Sequence, residues 1–339
     1  MVGGSGPPLC AIVRHGPSEA LSVGVRMTVL NALTCSNEKG GVLKSTCAAH
    51  LSAYAAAAGW DVLAIDTDAQ ANQSRDLGYV PDGGEALADA LMGKRPLLPA
   101  PHPRWPNLHY VPGGPALDGA LAQLANDLSR GRGSMRAFER ALSPIAGNYH
   151  LIVIDTPPRE LLLRRLIFAA VRYVVIPCQV DEGSIDGISG VFETVAEVRD
   201  GDSVNDPLNP ELEVLGVFLG PIQNGATRTA RTAREHINTL VGRDDFVMQA
   251  TIRSAQSIAV YCRANGILSN EYEQQARAAK SQQRRWWAMT KEERAAQHTY
   301  SDAASGLASD WQALVEEIMG RYKERSGMVG RSAAGYTHG

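Results

Sequence analysis

From Met27 onward the chain repeats one pattern, a short apolar run followed by a stretch with apolar residues at helical spacing. The runs Thr28–Thr34, Val62–Ile65, Leu108–Val111, Leu151–Ile154, Tyr173–Ile176 and Val214–Leu219 are apolar nearly throughout instead of alternating, which marks strands covered on both faces. Between the first two lies an Ala-rich helix, Ser45–Ala58, ending at Gly59, a residue suited to a left-handed cap. Leu117, Leu121, Leu124 and Leu128 share one helical face, and Ile185, Ile188, Val191 and Val195 share another; both read as packing faces. The pattern predicts an α/β fold, a mostly parallel twisted sheet flanked by helices on both faces, with ligands gathered at the carboxyl ends of the strands.

Segments outside this pattern set the expected boundaries. Residues 1–26, rich in Gly, Pro and Ser, read as a disordered leader or, since Met27 could itself initiate, a start-site artefact. Seven prolines between Lys94 and Pro115 read as a loop crossing the surface. A single domain is expected over 27–325, followed by a flexible Gly- and Ser-rich tail, 326–339. Composition is globular, with 44% apolar and 20% charged residues, and no apolar run approaches the length that spans a bilayer. A cytoplasmic protein is expected. The five cysteines form no CxxC pair and are odd in number, which excludes a disulfide framework and a cysteine-held metal site. At a net charge of −3, contact with nucleic acid would have to come from a local patch.

Three motifs carry chemistry. The first, Lys39-Gly40-Gly41-Val42-Leu43-Lys44-Ser45-Thr46, lies between a strand and a helix. Gly40 and Gly41 allow a tight turn whose N–H groups approach phosphate oxygens, and the helix directs its positive end at the same place. Lys44 would reach the β and γ phosphates and the Ser45 hydroxyl would ligate Mg²⁺. The ordinary P-loop pattern is not met, because Glu38 stands at its first glycine and Leu43 at its second. The second motif is the strand Val62–Ile65 running into Asp66-Thr67-Asp68-Ala69-Gln70-Ala71-Asn72; carboxylates two apart point the same way if the strand reaches Asp68. The third, Leu151–Ile154 followed by Asp155-Thr156-Pro157-Pro158, is an apolar strand ending in a carboxylate suited to hold Mg²⁺ through water.

Together these segments resemble the ParA/MinD family of deviant Walker A ATPases, with the partition ATPases of plasmids and chromosomes as the nearest branch. The first motif matches K-G-G-x-x-K-[ST], the second resembles the family's switch I segment DxDPQGN, and the third its DTPP. Tyr173–Gln179 with Ser184–Ile188, the strand Glu213–Val217, and Ser301–Ala304 with Glu317-Ile318 extend the likeness from about Met27 to about Tyr322. The resemblance implies ATP and Mg²⁺ as cofactors, Lys39 reaching across a nucleotide-sandwich homodimer, Asp66 supporting the Mg²⁺ shell and Asp68 orienting the attacking water. It further implies non-specific DNA binding, a ParB-like centromere-binding partner and association with the nucleoid.

This sequence departs from the family at Leu43, where most members carry glycine, and at Ala69 and Ala71, which replace the Pro and Gly of switch I. Nucleotide binding is expected to survive these changes, with slower turnover. A largely helical basic insertion is expected at about 271–299, containing Trp286 and Trp287. Residues 226–294 carry twelve Lys/Arg against seven Asp/Glu. Arg228, Arg231 and Arg234 on one predicted helix could form a stripe against DNA phosphates, and Arg253 falls where the family carries basic DNA-binding residues. The leading expectation is an ATP-driven dimerising switch for plasmid or chromosome partition. Alternatives are a related ATPase positioning a protein cargo on the nucleoid and a MinD-like membrane-cycling regulator. The last is disfavoured by a chain end too rich in Gly and Ser for a basic amphipathic helix.

Overall fold

The computed structural model describes residues 28–80, 82–201, 206–223, 225–282 and 304–327. The proposed leader, residues 283–299 of the basic insertion with Trp286 and Trp287, and most of the proposed tail lie outside the described residues. The elements run β1 (Val29–Cys35), α1 (Lys44–Ala57), β2 (Val62–Asp66), α2 (Asn72–Leu77), α3 (Glu85–Leu91), β3 (Ala100–Pro101), β4 (Leu108–Val111), α4 (Ala116–Ser129), α5 (Ala137–Ala146) and β5 (Leu151–Asp155). They continue with α6 (Leu161–Ala170), β6 (Val171–Cys178), α7 (Glu182–Asp200), β7 (Glu213–Ile222), α8 (Thr227–Val241), β8 (Val247–Arg253), α9 (Gln256–Asn265), α10 (Ser269–Gln282) and α11 (Ala304–Ser326).

The strands form one eight-stranded sheet in the order β3-β4-β2-β5-β1-β6-β7-β8, parallel except for β3 against β4. Side chains alternate across it: Ile152 and Ile154 of β5 join the core beneath α3 to α8, while Leu151 and Val153 join the core beneath α1, α9, α10 and α11. Both faces are therefore covered, as the unbroken apolar runs require. Of the two predicted packing faces, Leu117 and Leu124 are buried with Leu121 and Leu128 partly so, and Ile188, Val191 and Val195 are buried.

The structure refines two local expectations. The Lys94–Pro115 segment runs over the surface ahead of the expected strand β4, but it is pinned by the buried Leu97 and His102 and adds the two-residue strand β3. Pro101 lies within this short edge strand and Pro99 and Pro103 beside it, where a missing N–H costs little. Arg104 in this segment donates to the carbonyls of Leu77 and Gly266, the last turn of α2 and the cap of α9, and pairs with Glu271 of α10. Strand β2, moreover, ends at Asp66 and does not continue to Asp68.

The far edge of the sheet, β8, is missing from the sequence reading because Val247–Arg253 mixes polar and apolar residues without a clean period. Its backbone is held by α11: the Glu317 carboxylate accepts from the N–H groups of Gln249 (3.0 Å) and Ala250 (2.9 Å), and Asp310 accepts from that of Arg253 (3.0 Å).

Candidate nucleotide site

At the carboxyl ends of β1, β2 and β5 the three sequence motifs meet. The β1–α1 loop is held from below by Asn37, whose side chain donates to the Pro177 carbonyl (2.6 Å) and accepts from the Lys39 N–H (3.0 Å). A Cβ added at Gly40 or Gly41 would meet nothing within 4 Å, and Gly41 has φ 75°. The loop is thus open on the side where phosphates would lie. No side chain caps α1 and no acidic residue occupies its first turn, so its positive end faces the opening. Val42 is fully buried and anchors the loop, and Ser45 and Thr46 open α1 beside it. Lys44 is buried, with Nζ donating to the Lys39 carbonyl at 2.7 Å. Burial pushes its pKa down, opposed by the charges of Asp155 and Asp68.

The parallel register of β2 and β5 sets Asp66 opposite Asp155. Asp66 is fully buried, and its carboxylate accepts from the N–H groups of Asp68 (2.9 Å) and Ser74 (3.0 Å) and from the Ser74 hydroxyl (3.1 Å). Burial nevertheless raises its pKa to about 6. Asp155 is more exposed in energetic terms, because both of its oxygens are buried without a hydrogen bond. The Ser45 hydroxyl stands beside it without bonding either oxygen in good geometry, and burial together with the nearby Asp66 drives its pKa well up. A buried carboxylate with no donors is costly unless a cation satisfies it. Among the described residues no three His, Cys, Asp or Glu side chains form a metal site by themselves. The donor set of one hydroxyl and outer carboxylates fits Mg²⁺, which retains waters and takes its remaining oxygens from phosphate.

Asp68 lies past the end of β2, where a turn closed by its own N–H on Asp66 brings it to the cavity wall; its oxygens accept from the Gln70 N–H (2.8 Å) and the Asn72 side chain (3.0 Å). Lys39 is placed differently from the others. Its ammonium pairs with Asp181, just after β6, at 2.7 and 2.8 Å.

All these loops border one cavity of about 820 Å³, within the usual range for ligand sites. Beyond the loop it extends along the ends of β7 and β8, where Pro221, Gln223, Ile252, Ser254 and Gln256 form a second arm.

Several residues that shape the site are absent from the sequence reading. Gly113, two residues past the end of β4, lies so close to the Asp68 carbonyl and the Asp66 carboxylate that no side chain fits. The Pro-Gly-Gly-Pro at 112–115, following an apolar strand, is the available signal. Asp76 of α2 accepts from the Thr46 hydroxyl (3.0 Å) and from Arg263 of α9 (2.6 and 3.0 Å), linking three elements around the loop. Arg164 of α6 pairs with Glu38 at 2.8 Å. Such long-range partners leave no local pattern.

The basic residues do not form one stripe. Arg228 and Arg231 of α8 face solvent, but Arg234 donates to the carbonyls of Met248 (3.0 Å) and Gln249 (3.1 Å) on β8. A spacing of three rotates each position by about −60° around a helix, so the third arginine turns away from the first. Arg253 holds Asp310 of α11 through two bonds, at 2.6 and 2.9 Å. None of the four borders the phosphate loop, although Arg253 lies on the cavity's second arm.

A family model described as an AAA domain matches residues 30–214. Among curated proteins, the chain is 36% identical over 194 residues to the chromosome partitioning protein ParA of Myxococcus xanthus, a match covering 57% of this chain and 65% of that protein. It is 32% identical to the chromosome-partitioning ATPase Soj of Thermus thermophilus, covering 66% of this chain and 83% of that one. Solved structures share the fold. A McdA variant from Cyanothece in complex with ATP superposes with a TM-score of 0.61 at 17% identity, covering 85% of this chain and 97% of the other. Cobyrinic acid a,c-diamide synthase from Mycobacterium smegmatis, with bound ATP analogue and magnesium, gives 0.54 at 25% identity, covering 62% and 80%. With a phosphate loop of the K-G-G-x-x-K-S form, the paired strand-end carboxylates and these relatives, the chain belongs to the ParA/MinD family of deviant Walker A ATPases.

Proposed function

We propose that the protein is a Mg²⁺-dependent ATPase acting as a dimerising switch in plasmid or chromosome partition. The observation that carries the nucleotide reading is Asp155, a fully buried carboxylate without a hydrogen bond, opposite Asp66 and beside Ser45, whose own loop lines the cavity. In this reading the α1 N-terminus and the Gly40-Gly41 turn bind the phosphates, and Lys44 balances their charge from a buried position. Ser45, Asp155 and Asp66 would hold Mg²⁺, which would supply charge neutralisation at the phosphates. Asp68, held by Gln70 and Asn72, is placed to orient an attacking water. Lys39 would leave Asp181 to reach nucleotide in a second subunit.

The DNA and partner steps of the cycle rest on the relatives named for chromosome partitioning. The ATP-bound dimer would bind DNA non-specifically, with Arg228 and Arg231 as the accessible cations of α8 and Arg234 and Arg253 holding the surface in place. A ParB-like centromere-binding protein would stimulate hydrolysis and release, at the nucleoid and without a membrane. No described helix is long and apolar enough to cross a bilayer.

The test is DNA binding by the full chain with ATP, ADP or no nucleotide over a salt series, alongside Lys39→Ala and Asp68→Ala. The reading requires ATP-dependent, salt-sensitive binding that is lost in Lys39→Ala and persists in Asp68→Ala. Binding indifferent to nucleotide, or absent throughout, would exclude the partition cycle and favour a protein cargo.

A further inference from the structure

Three non-glycine residues among those described have φ in the left-handed region: Leu43 (70°), Ala71 (51°) and Arg159 (63°). Each sits on a different loop of the candidate site, the phosphate loop, the segment after Asp68 and the segment after Asp155. Backbone strain gathered at a site persists only where surrounding contacts hold it. Leu43 is the most demanding of the three, since a branched side chain tolerates this region poorly.

What holds Leu43 is visible in the packing. Its side chain is half-buried against the core beneath α1 and α11, in a niche left open by Gly220 of β7. A Cβ placed on Gly220 would lie 3.2 Å from Leu43 Cδ1 and 2.9 Å from Ile252 Cβ, so the phosphate loop, the end of β7 and the end of β8 converge at this point. The same ends of β7 and β8 line the second arm of the cavity, and Leu43 lines the cavity with them.

We propose that Leu43 is a positioning residue that braces the phosphate loop against the β7–β8 rim, preforming the loop for nucleotide. The inference rests on the nucleotide reading given above. A glycine at 43 would remove the strain and the brace together, leaving a loop that must be ordered on binding. An alanine would keep the strain and lose the brace. A methionine would keep a long apolar side chain in the same niche.

Binding of a fluorescent ADP analogue with Mg²⁺ to the full chain tests this, with the nucleotide-free melting temperature measured in parallel. Leu43→Gly and Leu43→Ala should each weaken binding by about tenfold, the loss expected when about 1.4 kcal/mol of preorganisation is removed. Leu43→Met should stay within about threefold of the original protein. Leu43→Gly should melt above Leu43→Ala, because only glycine relieves the strain; a purely structural role would make affinity follow that order of melting. Equal or tighter binding by Leu43→Gly, with Lys44→Ala still failing to bind, would overturn the brace and leave the nucleotide site standing. Failure of the original protein to bind above the Lys44→Ala level would overturn the site and the brace together.

Discussion

Replacing Asp66 with Asn should make the nucleotide-free protein progressively more stable than the original as pH rises. Burial raises the Asp66 pKa from 3.8 to about 6 despite the donors of Asp68 and Ser74. A carboxyl with a raised folded pKa contributes stability that is fully present below about pH 4 and lost as pH rises through about 6. At about 1.36 kcal/mol per unit, the shift corresponds to about 3 kcal/mol by pH 7. Two buried histidines act in the opposite direction. Burial lowers His50 and His102 to about 4 from 6.5, so their contribution is present above pH 6.5 and lost as pH falls. The pH profile of the original protein is therefore flattened, and the informative quantity is the difference between the two proteins. Urea titrations without nucleotide at several pH values from 4.5 to 7.5 should show a difference that grows by about 2 kcal/mol in favour of Asp66→Asn, the remaining part of the shift falling below about pH 4.5. Removing Asp66 also relieves Asp155, which only enlarges the effect. A difference independent of pH would refute an ionised, desolvated Asp66 in the nucleotide-free fold.

Arg263→Ala leaves the buried Asp76 carboxylate without its cation and should lower stability by about 2 kcal/mol, short of a fully buried pair because Arg263 is part-exposed, as read from denaturant midpoints. Gly113→Ala forces a methyl into the Asp66–Asp68 turn and should reduce stability by about 2 kcal/mol and slow ATP turnover; Gly119→Ala in α4, with open space around it, should do neither in the same melting and phosphate-release assays. Arg234→Ala should lower the melting temperature without a DNA-specific effect, whereas Arg228→Ala should leave melting unchanged and reduce the salt dependence of DNA binding by about one unit of slope.

The parallel core of the fold was legible in the sequence because its strands are unbroken apolar runs bounded by turn residues, and six of the eight were found to within a few residues. The placement of the Gly-rich β1–α1 loop and of the two strand-end carboxylates was legible for a related reason, since each motif is made of residues adjacent in the chain. What escaped was built from distant parts. Strand β8 has a mixed pattern, and its hydrogen bonds come from carboxylates some sixty residues further on. The pairs of Arg263 with Asp76 and of Arg164 with Glu38 join residues that nothing in the chain associates. Leu43 stands out in the sequence as a departure from glycine, but what accommodates its side chain does not: the niche exists only once β7 and β8 are in place.

The two edges of the sheet limit how the molecule can associate. On one side the last strand is a proline-bearing pair of residues, too short to template another chain. On the other, the outward N–H groups of β8 are already engaged by acidic side chains of α11. Growth of the sheet from one copy to the next is blocked at both ends, so assembly must proceed through helices and the loops at the strand ends. The safeguard on the β8 side is only as durable as the docking of α11. Its release would bare a row of strand donors, and self-association of the damaged protein should begin there.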